Sequence, residues 1–463
     1  MIYIGINRKS SSSLSHQIYH ALKEAVLLGT IKPGEKLPST RELSKDLNVA
    51  RNVVVESFEQ LIAEGYAYTK KGSGTFICTG LQLKRVDGTT PRKLTPPKKN
   101  TSKDIISFRT GIPDLAAIPM KKWAQTYHRI AFDITPSQLD YQDSFGDYEL
   151  RTQISLYLNR ARGAHAFPEN IMITNGAAQS FSLLSQLFSK TDYALVENPL
   201  SHGILHTLGA NGIKMSPINV DSQGMVTSEL PNFPPKLIFT TPSHQFPTGV
   251  VLPAGRRIEL IKYAQRHGSY IVEDDYDSEF RFDGSPIQSM QYLDPERVIY
   301  VGTFSKTLMP ALRIGYMVLP TALCKKMKRI KFVADLHSPI LEQLTLAEFL
   351  KAGHFEQHIR KMRKLYVKKR NHLVNCLKDS FGKRVQITGA ETGLHLVASF
   401  DGVYFDKAMI GKIKENGIEI APVNQHYLLL ETQSQYDHSL IFGYGNMTIE
   451  EIEQGIKKLA TLF

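Results

Sequence analysis

In Thr303-Phe304-Ser305-Lys306-Thr307 a lysine sits among hydroxyl side chains, and Arg313 follows seven positions after it. Upstream, Val272-Glu273-Asp274-Asp275-Tyr276 is an apolar run that ends in carboxylates and a tyrosine. These residue types in this order meet the requirements of a pyridoxal 5'-phosphate (PLP) site. A lysine amine forms a Schiff base with the aldehyde, and a carboxylate holds the pyridine nitrogen protonated so that the ring is an electron sink. Lys306 is the candidate Schiff-base residue and Asp274 the candidate nitrogen partner, with Tyr276 able to donate to the phenolic oxygen. Glu273 and Asp275 are rivals of Asp274, because strand alternation tells which side chains share a face but not which face is inward. Thr303, Ser305 and Arg313 would supply donors and charge for the phosphate.

Two further segments fit the same chemistry. Asn175-Gly176-Ala177-Ala178-Gln179 follows a strand-like run and opens a helix, so the backbone N–H groups of Ala177, Ala178 and Gln179 can bind a phosphate. A Gly-Ala-Ala turn is by itself more often a packing device. His244 lies in the loop Thr240–Gly249, from which a side chain can reach the cofactor hydroxyl. A single histidine is more often structural, and it is the company of the Asp274 and Lys306 segments that favours a cofactor contact.

The elements that must position these residues read as an α/β pattern. Apolar runs at 171–174, 194–196, 237–240, 270–273 and 298–302 alternate with helix-length segments from Ile105 onward, as in a largely parallel sheet. Ahead of them lies a different kind of chain. Apolar residues at helical spacing over 15–28 end at Gly29. Ser39-Thr40-Arg41-Glu42 is a capping box that opens a second helix, and a third runs from about Arg51 to Glu64 with Val54, Phe58, Leu61 and Ile62 inward. Two β-prone runs, 66–69 and 75–78, flank Lys70-Lys71-Gly72-Ser73-Gly74 as a hairpin with a basic tip. Three helices and a hairpin make a winged helix-turn-helix, in which the third helix enters the major groove of duplex DNA by its first residues, here Arg51 and Asn52. Arg41 is placed for the DNA backbone, as are Lys70, Lys71, Gly72, Ser73 and Gly74 at the wing tip.

The charge agrees with this division. Of a net +12, residues 1–100 hold an excess of +8, although a solvated basic face would look the same. Three separated cysteines, Cys78, Cys324 and Cys376, form neither a disulfide framework nor a zinc motif, and no metal is expected. No stretch approaches the ~18–20 apolar residues of a membrane span, and the first residues do not form a secretion signal, so the cytoplasm is expected. The expected divisions are a winged helix at 1–80, a proline- and lysine-rich linker at 81–103, and an α/β domain at 104–463.

Segment 11–80 resembles the GntR-type winged helix, through Ile31-Lys32-Pro33-Gly34-Glu35-Lys36-Leu37-Pro38-Ser39-Thr40-Arg41-Glu42-Leu43, Ala50-Arg51-Asn52 and Lys71-Gly72-Ser73-Gly74-Thr75-Phe76. Ala50 departs from the serine or threonine usual there. The larger segment resembles a fold type I aminotransferase, and the wording of 108–114, 242–249 and 273–281 resembles the MocR family, which joins the two modules. The resemblance implies a mixed, mostly parallel sheet, a head-to-tail homodimer, and transcription control by a small amine, an amino acid or PLP through an internal aldimine at Lys306. The alternative is an aminotransferase with an accessory DNA reader; a reader whose large domain holds no cofactor is a third. Two departures from the aminotransferase pattern stand out. Glu197–Gly203 lacks the tyrosine that faces the ring, with His202 as the replacement. Ile441 stands where amino-acid aminotransferases present a carboxylate-binding arginine, so an α-carboxylate would lose its bidentate clamp.

Overall fold

The structure is a computed structural model and describes residues 4–81, 105–284, 287–428 and 436–463. The chain forms two compact units, Met1–Thr101 and Ser102–Phe463. The expected linker falls almost wholly on 82–104, outside the described residues.

In the first unit, helices Leu14–Leu27, Thr40–Asp46 and Arg51–Ala63 precede an antiparallel hairpin of Ala67–Lys70 and Gly74–Ile77. The capping box is present: Ser39 Oγ accepts from Glu42 N and Glu42 accepts from Ser39 N at 2.8 Å. The turn between the second and third helices passes through Asn48 at φ 50°, which asparagine tolerates better than most residues. Ile18, Leu22, Leu43, Val54, Phe58 and Leu61 form the core with Ala67 and Ile77 of the hairpin. Burial is worth roughly 1.5–3 kcal/mol for each large apolar side chain. Ile62, expected inward, is 36% exposed. Its neighbour Leu61 takes the core-facing position, and a step of 100° per residue carries Ile62 to the rim.

The second unit is built on an eight-stranded sheet. In spatial order its strands are 171–174, 315–318, 298–303, 270–275, 237–240, 193–198, 214–221 and 224–225. The pairings among 298–303, 270–275, 237–240, 193–198 and 214–221 are parallel, while 315–318 runs antiparallel to both neighbours. Helices His202–Ala210 and Ala254–His267 make two of the crossovers that parallel strands require. A smaller antiparallel sheet joins 385–388, 395–400, 439–443 and 421–422, and the 28-residue helix His354–Phe381 runs ahead of it in the chain. Strands at the sheet centre are buried on both faces, so they read as continuous apolar runs rather than alternating ones. The parallel strands therefore deliver their carboxyl ends, Asn198, Thr240, Asp275 and Thr303, to one edge of the sheet, where open α/β sheets bind ligands.

Candidate cofactor site and nucleic-acid interface

A cavity of about 460 Å³ lies at that edge. Lys306, Asp274, Tyr276, Thr303, Ser305, Arg313, Ala177, Ala178 and His202 all line it. The three carboxylates of the 273–275 run are sorted by the strand. Glu273 faces one side, where it accepts from Met290 N and Gln291 N, both at 3.0 Å. Asp275 shares that side in a buried pair with Arg162 at 2.8 Å, and accepts from Tyr300 Oη at 2.6 Å and Ser278 Oγ at 2.8 Å. Asp274 points the opposite way, into the cavity, and among the described residues it accepts no side-chain or backbone hydrogen bond. Burial, and then the nearby Asp275 charge, push its carboxyl up to about 7, against the pull of Lys306.

Lys306 Nζ donates to Gly111 O at 2.6 Å. Burial lowers its pKa, opposed by the charges of Asp277 and Asp274, so the neutral, nucleophilic amine is easier to reach than in water. Gly111 is held close: a Cβ there would lie 2.7 Å from Lys306 Nζ.

The phosphate end gathers donors, three of them without a protein partner among the described residues. Helix Ala177–Ser185 begins at Gly176, φ 86°, with no side-chain cap. Among the described residues the N–H groups of Ala177 and Ala178 donate to no protein acceptor. Ser305 Oγ is buried with no partner. Arg313, itself left-handed at φ 52°, donates to Asn175 O at 2.9 Å and lies so near Gly176 that a Cβ on the glycine would meet its guanidinium at 2.7 Å. Two free amides, an orphaned hydroxyl and a guanidinium suit a dianionic phosphate. A lysine and an unpaired carboxylate at the other end suit an aldehyde and a ring nitrogen. The residues fit PLP.

Two expected residues sit elsewhere. Gln179 is turned away from the cavity: its N–H donates to Gly176 O and its side chain to Asp335. His244 lies behind the wall, 2% exposed, with Nδ1 3.0 Å from Asp277, its ring stacked on Tyr276, and Nε2 without a partner. Tyr276 lines the cavity but its hydroxyl donates to His244 O at 2.9 Å. Arg109, Phe246, Asp277, His395 and His426 line the cavity without having been singled out. Arg109, Phe246 and Asp277 carried a signal, as parts of the 108–114, 242–249 and 273–281 wordings, and the two histidines carried none. The imidazoles of His395 and His426 are held neutral by burial, the latter at about 4. His202 stacks on His426 at 4.1 Å and is tied to Gln425 O at 2.9 Å. Ile441 is fully buried against Val397 and Val423, so that strand position offers an apolar contact where a carboxylate clamp would stand.

On the first unit, Arg41, Arg51, Asn52, Lys70, Lys71, Gly72 and Gly74 are exposed and Ser73 half-exposed. Arg51 Nε donates to Thr40 Oγ1 at 3.2 Å, which orients the guanidinium at the start of the third helix. Ala50 is the N-cap of that helix and gives it no side-chain hydrogen bond. Lys36, not anticipated, lies along the wing, where a Cβ on Gly74 would lie 2.8 Å from its Cε.

The fold and site together define a GntR-type DNA-binding module fused to a PLP-dependent aminotransferase-like domain. The gntR family of bacterial regulatory proteins matches residues 14–77, and aminotransferase class I and II matches residues 103–459. The chain belongs to the MocR-type regulators that combine the two. It is 36% identical to the uncharacterized HTH-type transcriptional regulator YdeL of Bacillus subtilis, over 98% of this chain and 97% of that one. It is 31% identical to the probable rhizopine catabolism regulatory protein MocR of Rhizobium meliloti, over 99% and 95%. Among solved structures, kynurenine aminotransferase of Pyrococcus horikoshii superposes with a TM-score of 0.71 at 27% identity, over 78% of this chain and 91% of that one. Among the described residues no helix is long and apolar enough to cross a membrane.

Proposed function

We propose that this chain is a DNA-binding transcriptional regulator that holds PLP as an internal aldimine at Lys306 and responds to a small amine, an amino acid or PLP itself. The observation that carries the reading is the pairing, across one cavity, of Lys306 with an Asp274 carboxylate that has no hydrogen-bond partner among the described residues. When bound, PLP supplies a reactive aldehyde and an electron-withdrawing ring. The chain's own residues do the rest. Asp274 would accept a hydrogen bond from the protonated ring nitrogen, Ala177, Ala178, Thr303, Ser305 and Arg313 would hold the phosphate, and the Lys306 amine would stand at the aldehyde. His202, stacked on His426, would cover the ring face, and Tyr276 would stand at the phenolic oxygen with His244 and Asp277 beside it.

A dedicated aminotransferase is the weaker reading. Ile441 in an apolar cluster gives an α-amino acid no carboxylate clamp from that strand, and a winged helix has no part in turnover. A regulator needs only that the ligand bind two states of the protein unequally.

The first unit reads duplex promoter DNA with Arg51 and Asn52 at base edges and with Arg41, Lys70, Lys71 and the Gly72-Ser73-Gly74 tip on the backbone. The working form is a homodimer. Exposed apolar side chains of the second unit, Phe132, Val333 and Tyr141 at 83%, 82% and 79%, are available to be covered by a second copy. A reader of chromosomal DNA belongs in the cytoplasm.

The test is to select DNA from a random pool with the full chain and footprint the winner, with and without PLP and a panel of amines. Two half-sites whose occupancy shifts with PLP and one class of amine are expected. A single undivided half-site would overturn the dimeric arrangement, and occupancy indifferent to every ligand would overturn the sensor.

A further inference from the structure

Lys331 is fully buried, and nothing in the cavity touches it. It lies on helix Thr321–Asp335, and its ammonium donates to Asp335 Oδ2 at 2.7 Å, to Gln179 Oε1 at 3.1 Å and to Ser338 Oγ at 3.1 Å. Asp335 Oδ2 also accepts from Gln179 Nε2 at 2.7 Å and Asn175 Nδ2 at 3.0 Å. Gln179 Oε1 in turn accepts from Asn175 N at 2.8 Å. Both donors of Asn175 are thus tied back to Lys331, while its carbonyl is taken by Arg313.

This matters because the turn that follows is held from two sides, its Gly176 carbonyl by Thr174 Oγ1 and the Gln179 and Ser180 N–H groups, and its Asn175 end by the Lys331 cluster. Gly176 is left-handed and the helix it opens has no side-chain cap, so the direction of the Ala177 and Ala178 N–H groups depends in part on what grips Asn175. A buried lysine with three polar partners is costly to assemble and rigid once assembled. An apolar residue of similar length would fill the space but would leave the Asp335 carboxylate and Gln179 Oε1 without their cationic partner.

Resting on the PLP reading above, we propose that Lys331 is a positioning residue for the cofactor phosphate. Through Asp335 and Gln179 it fixes the Asn175–Gly176 turn so that the free amides and Arg313 converge on one anion. Lys331 touches no ligand; its effect is confined to the phosphate end.

The experiment titrates the full chain with PLP and, separately, with pyridoxal, which has the aldehyde and ring but no phosphate, and follows visible absorbance. In Lys331→Met, PLP affinity falls by about tenfold or more, as for loss of other outer-layer orienting groups. Pyridoxal affinity stays within about twofold, since it never used the turn. Gln179→Ala, a half-buried helix position, shows the same preference on a smaller scale and decides the matter if Lys331→Met does not fold. Equal losses for the two aldehydes, or no loss for PLP, would overturn the role of Lys331. A wild-type chain that binds neither aldehyde would overturn the cofactor reading itself, a separate result.

Discussion

On the first unit, Arg41, Arg51 and Asn52 stand in solvent within a dozen residues of one another, whereas Lys306, Asp274, Ala177 and His202 come from four segments spread over more than a hundred residues and enclose one cavity. The surface site trades its charges against salt and water. The enclosed site changes the charges it holds, as burial raises the Asp274 carboxyl and lowers the Lys306 ammonium. A polyanion is met by many weak, screened contacts, and an aldehyde by a few groups whose proton affinities have been moved.

The sharpest way to break this contrast is through Asp274. Its folded pKa lies above its ordinary value of 3.8, at about 7. Its contribution to stability is therefore complete below about pH 4 and lost as pH rises through 7. At ~1.4 kcal/mol per tenfold change in proton affinity, the loss approaches about 4 kcal/mol. Without PLP, Asp274→Asn should melt above the wild type at pH 8 and alike at pH 4. With PLP the order should reverse at pH 8, because the carboxylate then has a cationic partner. Glu279, also raised to about 7 by burial, keeps part of the pH slope in the variant. Melting curves that run parallel to the wild type at every pH would contradict an ionisation cost at this position.

The surface site should respond more mildly. Arg51→Ala is expected to weaken specific DNA binding by ~1–3 kcal/mol and relax sequence preference if the guanidinium reads a base. Lys71→Ala should weaken all sequences alike and reduce the salt slope by about 1. Anisotropy titrations against selected and scrambled duplexes at several salt concentrations separate the two. An unchanged specificity ratio in Arg51→Ala would make that residue a phosphate contact. The smallest effect is a gain: Ala50→Ser supplies the missing cap on Arg51–Ala63 and should stabilise the first unit by ~0.5–1 kcal/mol, read as a rise in its melting temperature. No rise would mean that the helix start is already satisfied.

The same contrast explains what could be read from the sequence. The capping box at Ser39–Glu42, the basic hairpin and the lysine segment are local patterns, each set by a few adjacent residues, and they stand in the structure where the spacing put them. Strand order, with 315–318 antiparallel between 171–174 and 298–303, is non-local; the sequence reading reached a mixed, mostly parallel sheet and no order within it. Alternation in 273–275 separated Asp274 from its neighbours but could not choose the inward face until Arg162, more than a hundred residues away, was seen to occupy Asp275. His244 and Gln179 were assigned to the cavity from chain position alone, and each is drawn off it by a distant partner, Asp277 and Asp335. His395 and His426 lie in segments with no motif, so nothing short of the fold could have brought them to the cavity.

The most direct measurement of the central claim is the visible absorbance of the purified full chain with PLP, beside that of Lys306→Ala. A band that forms with the wild type, is absent from the variant and shifts when one class of amine is added is the predicted result. No band in the wild type, or the same band in both proteins, would contradict the account.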